Sequence, residues 1–351
     1  MPFKHADGAD HKQRFQTSLF CDSILNEDSL SFGCKINNLI NTILRNYKDF
    51  ADASISISLA RQKKAYYETL KAIKSDDKER IINCLLAKKT DELVNKHCNY
   101  EKGISRTVRV NNDMYYYFVG PECEEDKYYG PKGNGTYIRA ILEEYSQKSY
   151  CEREAIFFQD IIKELKKAMT HNNSFRVSLC LKSGKTIKPF CPLMIKTDRI
   201  GMYNYLVGIS ELNSERKPAS IRVSRISKVS IMLSKPYYEY QKSEDTAIVM
   251  AALEQQDVPY LLGEPETIKV VLNQDGLNKY NQIQHKRPTT ISEIETDGRT
   301  EKTFLCSQFQ AEAYFNQFGE NAIIKSPPEL ATKLAEFYQS AYVEYKRQLG
   351  D

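Results

Sequence analysis

The 351-residue sequence predicts an α+β protein with three parts: a largely helical N-terminal region, a small central β-barrel and a C-terminal α/β segment. Three observations lead there. The length exceeds what one hydrophobic core organises, so several cores are expected. Apolar residues recur at helical spacing through the first half, and from Ser174 the period switches to two. Hydrophobic residues at 41% and charged residues at 27% match a globular chain and exclude a disordered or fibrous one. The expected boundaries are 1–150, 151–242 and 243–351.

The first element is a short strand from Arg14 to Phe20, in which Phe15, Thr17 and Leu19 oppose Arg14, Gln16 and Ser18. A helical stretch follows. Cys34 to Tyr47 then places Ile36, Leu39, Ile40, Ile43, Leu44 and Tyr47 on one face. The same order returns at Arg106 to Val110 (strand), Asn111 to Val119 (helix) and Thr136 to Tyr145 (helix). The second helices superpose at Ile40/Ile138, Ile43/Ile141, Leu44/Leu142 and Tyr47/Tyr145, as in a degenerate repeat spanning about 12–48 and 105–148. Four matches in nine positions also fit two unrelated amphipathic helices.

This strand-helix-helix unit resembles a ribbon-helix-helix module, whose paired strands enter a nucleic-acid groove. Two copies in one chain can pair internally. On that reading Arg14, Gln16, Ser18, Thr107 and Arg109 face the ligand; on the alternative, the strands serve only as a folding or dimer interface. Between the copies, Leu59 to Ile73 and Asp76 to Lys89 are expected as helices, the second opened by an Asp76-x-x-Glu79 capping box. A turn-rich loop runs from Gly120 to Gly135, and a single amphipathic helix from Glu152 to Met169.

From Ser174, Phe175, Val177, Leu179 and Leu181 alternate with Arg176, Ser178, Cys180 and Lys182, ahead of a Ser183-Gly184 turn. Further strands are expected over Ile187 to Ile195, Met202 to Ile209 and from Ser220 onward. Closely spaced strands joined by short turns predict a small barrel. Its segment, Ser174 to Lys242, holds thirteen Lys and Arg against four Asp and Glu, a net +9. The whole chain carries only +4, which leaves −5 on the remainder. Charge gathered this way suits attraction of a polyanion to one face, although a solvated lysine-rich surface has the same composition.

Pro192-Leu193, Asn204-Tyr205-Leu206-Val207-Gly208 and Ile221-Arg222-Val223-Ser224-Arg225-Ile226 together resemble the WYL domain. That family carries a proline-containing strand, a Trp-Tyr-Leu strand and an Arg-x-x-Arg-Ile strand on an Sm-like fold. Asn204 stands where the family has tryptophan, with Tyr203 beside it as a partial substitute. The resemblance implies a basic ligand patch of Tyr205, Arg222 and Arg225 with Ser178 and Lys188 on adjoining strands; Lys182, Lys196 and Arg199 lie in or near turns, where they either extend the patch or stand as ordinary solvated charges. Two arginines beside a tyrosine suit single-stranded nucleic acid, since guanidinium binds phosphate and both groups stack on bases. Alternation supports Arg222, whereas Arg225 shares the apolar parity unless a bulge intervenes, so a buried ion pair competes for it.

In the C-terminal segment a strand is expected at Ile268 to Leu272, a helix opened by Ser307-x-x-Gln310 and stopped by Gly319, and a last helix started by Ser326-Pro327-Pro328-Glu329. That last helix aligns Leu330, Leu334, Phe337, Ala341 and Tyr345. The stripe fits homodimerisation, and equally fits packing within the chain.

None of the phosphate-loop, dinucleotide, zinc-protease or serine-hydrolase motifs occurs, and His97 beside Cys98 is a weak metal hint because adjacent residues diverge. No enzyme, cofactor or metal is expected. The acidic run Glu122, Glu124, Glu125 and Asp126 reads as a solvated loop, with a nuclease cation site as its alternative. With no long apolar run and no secretory signal at the start, a cytoplasmic protein without membrane association is expected.

The stretch Ile40 to Tyr47, with Ala51-Asp52-Ala53-Ser54-Ile55-Ser56 behind it, is similar to the WYL accessory proteins of type VI-D CRISPR systems. What this implies is an antiviral-defence homodimer that binds single-stranded RNA and enhances an RNA-guided effector nuclease. The alternative is a DNA-binding transcription regulator whose WYL domain senses a nucleotide.

Overall fold

A computed structural model describes residues 11–96, 103–119, 128–129, 134–170, 174–212, 215–261, 263–296 and 298–350. The fold is α+β, with three antiparallel sheets among the described residues. The chain divides into two compact units, Met1–Gln159 and Asp160–Asp351.

The first unit runs β1 (His11–Thr17), α1 (Leu19–Ser31), α2 (Ile36–Tyr47), α3 (Phe50–Thr69), α4 (Ser75–Asn95), β2 (Ile104–Val110), α5 (Asn112–Val119), α6 (Asn134–Ser146) and α7 (Tyr150–Phe157). β1 and β2 pair antiparallel, with Arg14 opposite Thr107 at the centre. The two strand-helix-helix units therefore pair within one chain. Each strand is held by the other unit's second helix. Asn37 of α2 accepts the Arg109 backbone N–H at 2.9 Å, and Asn41 donates to the Arg109 carbonyl at 2.8 Å. Reciprocally, Glu143 of α6 accepts the N–H and hydroxyl of Ser18, the residue after β1, at 2.7 and 2.8 Å. Ser18 also caps α1 by accepting the Cys21 N–H at 3.1 Å. All eight residues matched between the repeats, Ile40 with Ile138 through Tyr47 with Tyr145, are buried.

α3 and α4 form a helical hairpin, exposed along most of its length. α4 starts at Ser75 with Lys74 as its cap residue, so Asp76, expected at the cap, lies within the helix; Glu79 accepts the Tyr67 hydroxyl at 3.1 Å. The acidic run at Glu122 to Asp126 and the His97-Cys98 pair lie outside the described residues.

The single helix expected over Glu152 to Met169 is two. α7 ends at Phe157 and α8 (Gln159–Thr170) begins after Phe158, whose φ of −93° and ψ of 24° leave the helix. The break lets both Phe157 and Phe158 meet the Phe32 ring, at 4.9 and 5.4 Å between centroids. In an unbroken helix successive side chains point roughly 100° apart.

The second unit continues with β3 (Ser174–Leu181), β4 (Thr186–Thr197), β5 (Asn204–Leu212), β6 (Glu215–Arg222), a 3-10 turn at Val223–Arg225, β7 (Ile226–Tyr237) and α9 (Glu239–Gln255). The sheet order is β6-β5-β4-β3-β7. A closed barrel was expected, but among the described residues no ladder joins β6 to β7, which are the two edges of an open sheet. The 3-10 turn lifts the chain off β6 before β7 pairs with β3. The edges nonetheless share one core: Ala219 and Ile221 of β6 and Ile226 of β7 pack with Val177, Leu179, Phe190, Leu206 and with Leu165 and Met169 of α8. On the other face Cys191, Val207 and Ile209 pack with Val249 of α9 and with Val258 and Leu261, in and just after a second 3-10 turn, Val258–Tyr260.

The C-terminal elements are β8 (Glu266–Leu272), α10 (Gln274–Gln282), β9 (Thr289–Thr296), β10 (Arg299–Cys306), α11 (Gln308–Phe315), β11 (Ala322–Ser326) and α12 (Pro328–Leu349). The strands form a sheet of order β11-β8-β10-β9. Ser307 caps α11 by accepting the Gln310 N–H at 3.2 Å. The helix ends at Phe315 with Asn316 as its cap, before the expected stop at Gly319, which instead opens a 3-10 turn with a φ of +59°. Leu330 and Leu334 of α12 join the core, while Phe337 and Tyr345 are exposed, so the expected stripe is buried only in its first half.

Candidate nucleic-acid interface

Two surfaces carry the residues that the sequence marks for polyanion binding, one in each unit. The first is the ribbon. Because side chains alternate across a strand, Phe15 and Thr17 of β1 and Val108 and Val110 of β2 turn inward and are buried. Lys12, Arg14 and Gln16 turn outward opposite Arg109, Thr107 and Ser105, and all six are exposed. That face holds three cations and no carboxylate. Arg14 Nε donates to Ser105 Oγ at 3.1 Å, which orients its guanidinium across the ribbon. Arg106, the inward-facing arginine, is paired with Asp22 and donates to Asn26 at 2.9 Å. Lys12 escaped the sequence reading because that strand was begun at Arg14; its parity with Arg14 and Gln16 was the available signal.

The second surface is on the five-stranded sheet. Lys196 of β4 pairs with Tyr205 of β5, which pairs with Arg222 of β6. Directly opposed residues of an antiparallel sheet share a face, so a lysine, a tyrosine and an arginine form one row across three strands. Beside the row the Arg222 guanidinium lies 3.6 Å from the centre of the Tyr203 ring, a cation-π stack. Tyr203, Tyr205 and Arg222 are each half-buried. Arg199 is exposed on the β4–β5 turn, where its backbone N–H donates to Asp257 at 3.2 Å. Burial pushes the Asp257 carboxyl above its usual range.

The other expected residues lie elsewhere on the sheet. Ser178 pairs with Ser230 of β7, and exposed Lys188 is at the opposite end of β4 from Lys196. Arg225 is exposed because the 3-10 turn breaks the strand parity, so it is not the buried residue that the apolar parity allowed. Its carbonyl accepts the Lys182 N–H at 2.9 Å. Asn204, at the tryptophan position of the resemblance, is buried.

The count of cations also overstates what faces solvent. Arg176 and Arg216 both contact Glu211 at 3.3 Å, and Arg216 contacts Asp245 at 2.6 Å. Burial and the hydrogen bond to Asp245 raise the Tyr237 hydroxyl above its usual pKa. Arg176 is mostly buried in this cluster, whereas Arg216 is exposed and reaches in to the same carboxylates, a pairing that no sequence pattern announces. Among the described residues no group of three His, Cys, Asp or Glu side chains is placed to hold a metal, and no helix is long and apolar enough to cross a membrane.

Fold and surfaces together describe a two-unit α+β chain with an internally paired ribbon and a cation-aromatic row on an open sheet. No protein-family model matches the sequence, and no curated protein does. Among solved structures it is similar to one described as "Crystal structure of a CRISPR Cas-related protein", with 21% identity and a TM-score of 0.71 over 99% of this chain and 97% of that one. The shared fold thus extends over nearly the entire length. A second likeness, to proteasome accessory factor B/C (PafBC) of Arthrobacter aurescens, has a TM-score of 0.29 at 13% identity, covers 68% of this chain and 37% of that one, and carries no weight for the fold.

Proposed function

We propose that this protein is a CRISPR-associated accessory factor of the WYL type that binds single-stranded RNA without cleaving it and enhances an RNA-guided effector nuclease. The observation that carries the RNA reading is the row Lys196–Tyr205–Arg222 with Tyr203 stacked under Arg222. Cations that neutralise phosphate beside rings that accept unstacked bases are what single strands require. The full-length likeness in fold to a CRISPR Cas-related protein supports the pathway. The exposed Phe337, Tyr342 and Tyr345 of α12 support a homodimer joined through the C-terminal segment. The test is a filter-binding titration of the full chain with single-stranded RNA and duplex DNA, followed by effector cleavage assays with and without the protein. Tighter binding to single-stranded RNA and faster cleavage are expected; equal retention of duplex DNA defeats the reading.

A second reading, a duplex-DNA-binding regulator, is favoured by one feature. The exposed ribbon face with Lys12, Arg14 and Arg109 has the dimensions and charge of strands that enter a major groove. Palindrome-specific DNA binding that is lost in Arg14→Ala would select it.

A further inference from the structure

The ribbon of the first unit has an approximate two-fold axis through the Arg14–Thr107 pair, because β1 and β2 run antiparallel in unbroken register over seven residues each. The axis matches Phe15 with Val108 and Thr17 with Val110, and all four are buried. The inward side of the ribbon is thus repeated. The outward side is not. There the axis matches Lys12 with Ser105, Arg14 with Thr107 and Gln16 with Arg109, and none of these positions carries the same chemistry twice.

Two separate copies of one chain would bring identical strands together, and their outward faces would repeat. Here both strands belong to one chain, so each outward face is set independently of the other. The ribbon therefore has two unlike ends. Lys12 lies opposite Arg109 at one end, Gln16 lies opposite Ser105 at the other, and Arg14 lies opposite Thr107 between them. All six are exposed. Arg14 Nε donates to Ser105 Oγ at 3.1 Å, which leans the central guanidinium toward the uncharged end and keeps its two Nη groups clear of that bond.

We infer that the ribbon reads a non-palindromic element of duplex DNA in one fixed orientation, with guanines under the Lys12–Arg109 end and under Arg14, and an adenine under Gln16. In the major groove arginine and lysine pair with O6 and N7 of guanine, glutamine pairs with N6 and N7 of adenine, and serine and threonine discriminate little. Five residues of strand span about 14 Å, or roughly four base pairs. Duplex RNA is not an equivalent target, because side chains cannot read its deep, narrow major groove. The inference rests on the duplex-DNA reading of the ribbon and adds the direction and base content of its target. It does not involve the row on the five-stranded sheet.

The test is selection on the full chain from a pool of random duplex DNA, followed by mobility shifts of the selected site and of two symmetrised versions, each built from one half and its inverted copy. An element that differs from its own inverted complement is expected, either alone or as two inverted copies with separate centres where two chains bind together. Both symmetrised versions are expected to bind about 5–150-fold more weakly, the range for one wrong base under a well-paired side chain. Ser105→Lys combined with Thr107→Arg and Arg109→Gln gives β2 the outward residues of β1, and is expected to move the preference to one of the symmetrised versions. Should that variant not fold, the symmetrised sites on the wild-type protein decide alone. A selected element that is a single palindrome of ribbon length, or symmetrised sites bound as tightly as the original, overturns the inference while the duplex-DNA reading stands. Failure to enrich any duplex removes both.

Discussion

Arg153 and Asp28, 125 residues apart in sequence, meet in the interior of the first unit: Nε donates to Oδ2 at 2.7 Å and Nη2 to Oδ1 at 3.2 Å. Tyr145 adds its hydroxyl to the same carboxylate at 2.7 Å. The pair ties α7 to α1 next to the repeat helix α6. Removing one partner of a buried pair strands the other charge, so Arg153→Ala is expected to lower stability by about 3–5 kcal/mol. Tyr145→Phe, which removes one hydrogen bond to a charged group, is expected to cost about 1.5–3 kcal/mol. Urea unfolding curves of the two variants check both the size and the order.

Arg222→Ala and Tyr203→Ala separate charge from stacking on the sheet. Losing Arg222 is expected to reduce the slope of log affinity against log salt by about 0.7, the value for one phosphate contact on a single strand. Losing the Tyr203 ring is expected to weaken binding by about 1–3 kcal/mol with the slope less affected. Filter binding of single-stranded RNA at several salt concentrations distinguishes them, and an unchanged affinity in both variants rules the row out as the site.

Arg14→Ala combined with Arg109→Ala strips two cations from the ribbon face. Both side chains are exposed, so stability is expected to change by less than about 0.5 kcal/mol for each. A loss of duplex-DNA binding at unchanged RNA affinity assigns the ribbon to duplexes; loss of both assigns it to general backbone contact. Electrophoretic mobility shifts with each nucleic acid provide the comparison.

Gly208 of β5 has no room for a side chain: a Cβ there sits 2.0 Å from the Cys191 carbonyl oxygen and 2.9 Å from the Phe190 ring. Gly208→Ala must therefore push β4 from β5 or bend the sheet. The expected cost is about 1–3 kcal/mol or more, by analogy with overpacked cores. A lowered thermal midpoint checks it, and an unchanged midpoint contradicts the strand spacing.

Burial, reinforced by the charge of Glu211, pushes the Cys191 thiol up to about 12, and burial with Glu266 does the same for Cys306. An unfolded thiol titrates near roughly 8.5, so the folded state holds these protons more tightly. Their contribution to stability is complete below the unfolded value and declines as pH rises from there toward 12. Denaturation midpoints between pH 8 and about pH 11 are expected to fall, and to fall less steeply in Cys191→Ala with Cys306→Ala. Exposed Cys84 is expected to react with an alkylating reagent while Cys191 and Cys306 react only on unfolding.

Much of the local structure was legible. Periodicity located the strand at Phe15, the repeat helices at Leu39–Tyr47 and Tyr137–Tyr145, and the start of the sheet at Ser174, because each shows a one-sided apolar pattern. The β9–β10 hairpin was not found, since β9 is an edge strand exposed along nearly its whole length and shows no alternation. The break at Phe158 was also hidden: a stripe from Phe158 to Met169 reads the same in one helix or two. In the candidate site, parity identified Arg14, Gln16, Arg109 and Arg222. Lys196 looked like an ordinary turn lysine, because only strand register sets it beside Tyr205.

Composition and spacing by themselves determined the α+β class and the segment in which the positive charge is gathered, since these depend on neighbours a few residues apart. Tertiary structure decided which of those charges face solvent. Arg176 is drawn inward by Glu211, while Arg225 is turned outward by a short 3-10 turn. It also decided that the two strands pair within one chain and that Lys196, Tyr205 and Arg222 fall in one row across three strands. Such juxtapositions join residues tens to a hundred positions apart, and chain connectivity leaves them undetermined until packing brings the elements together.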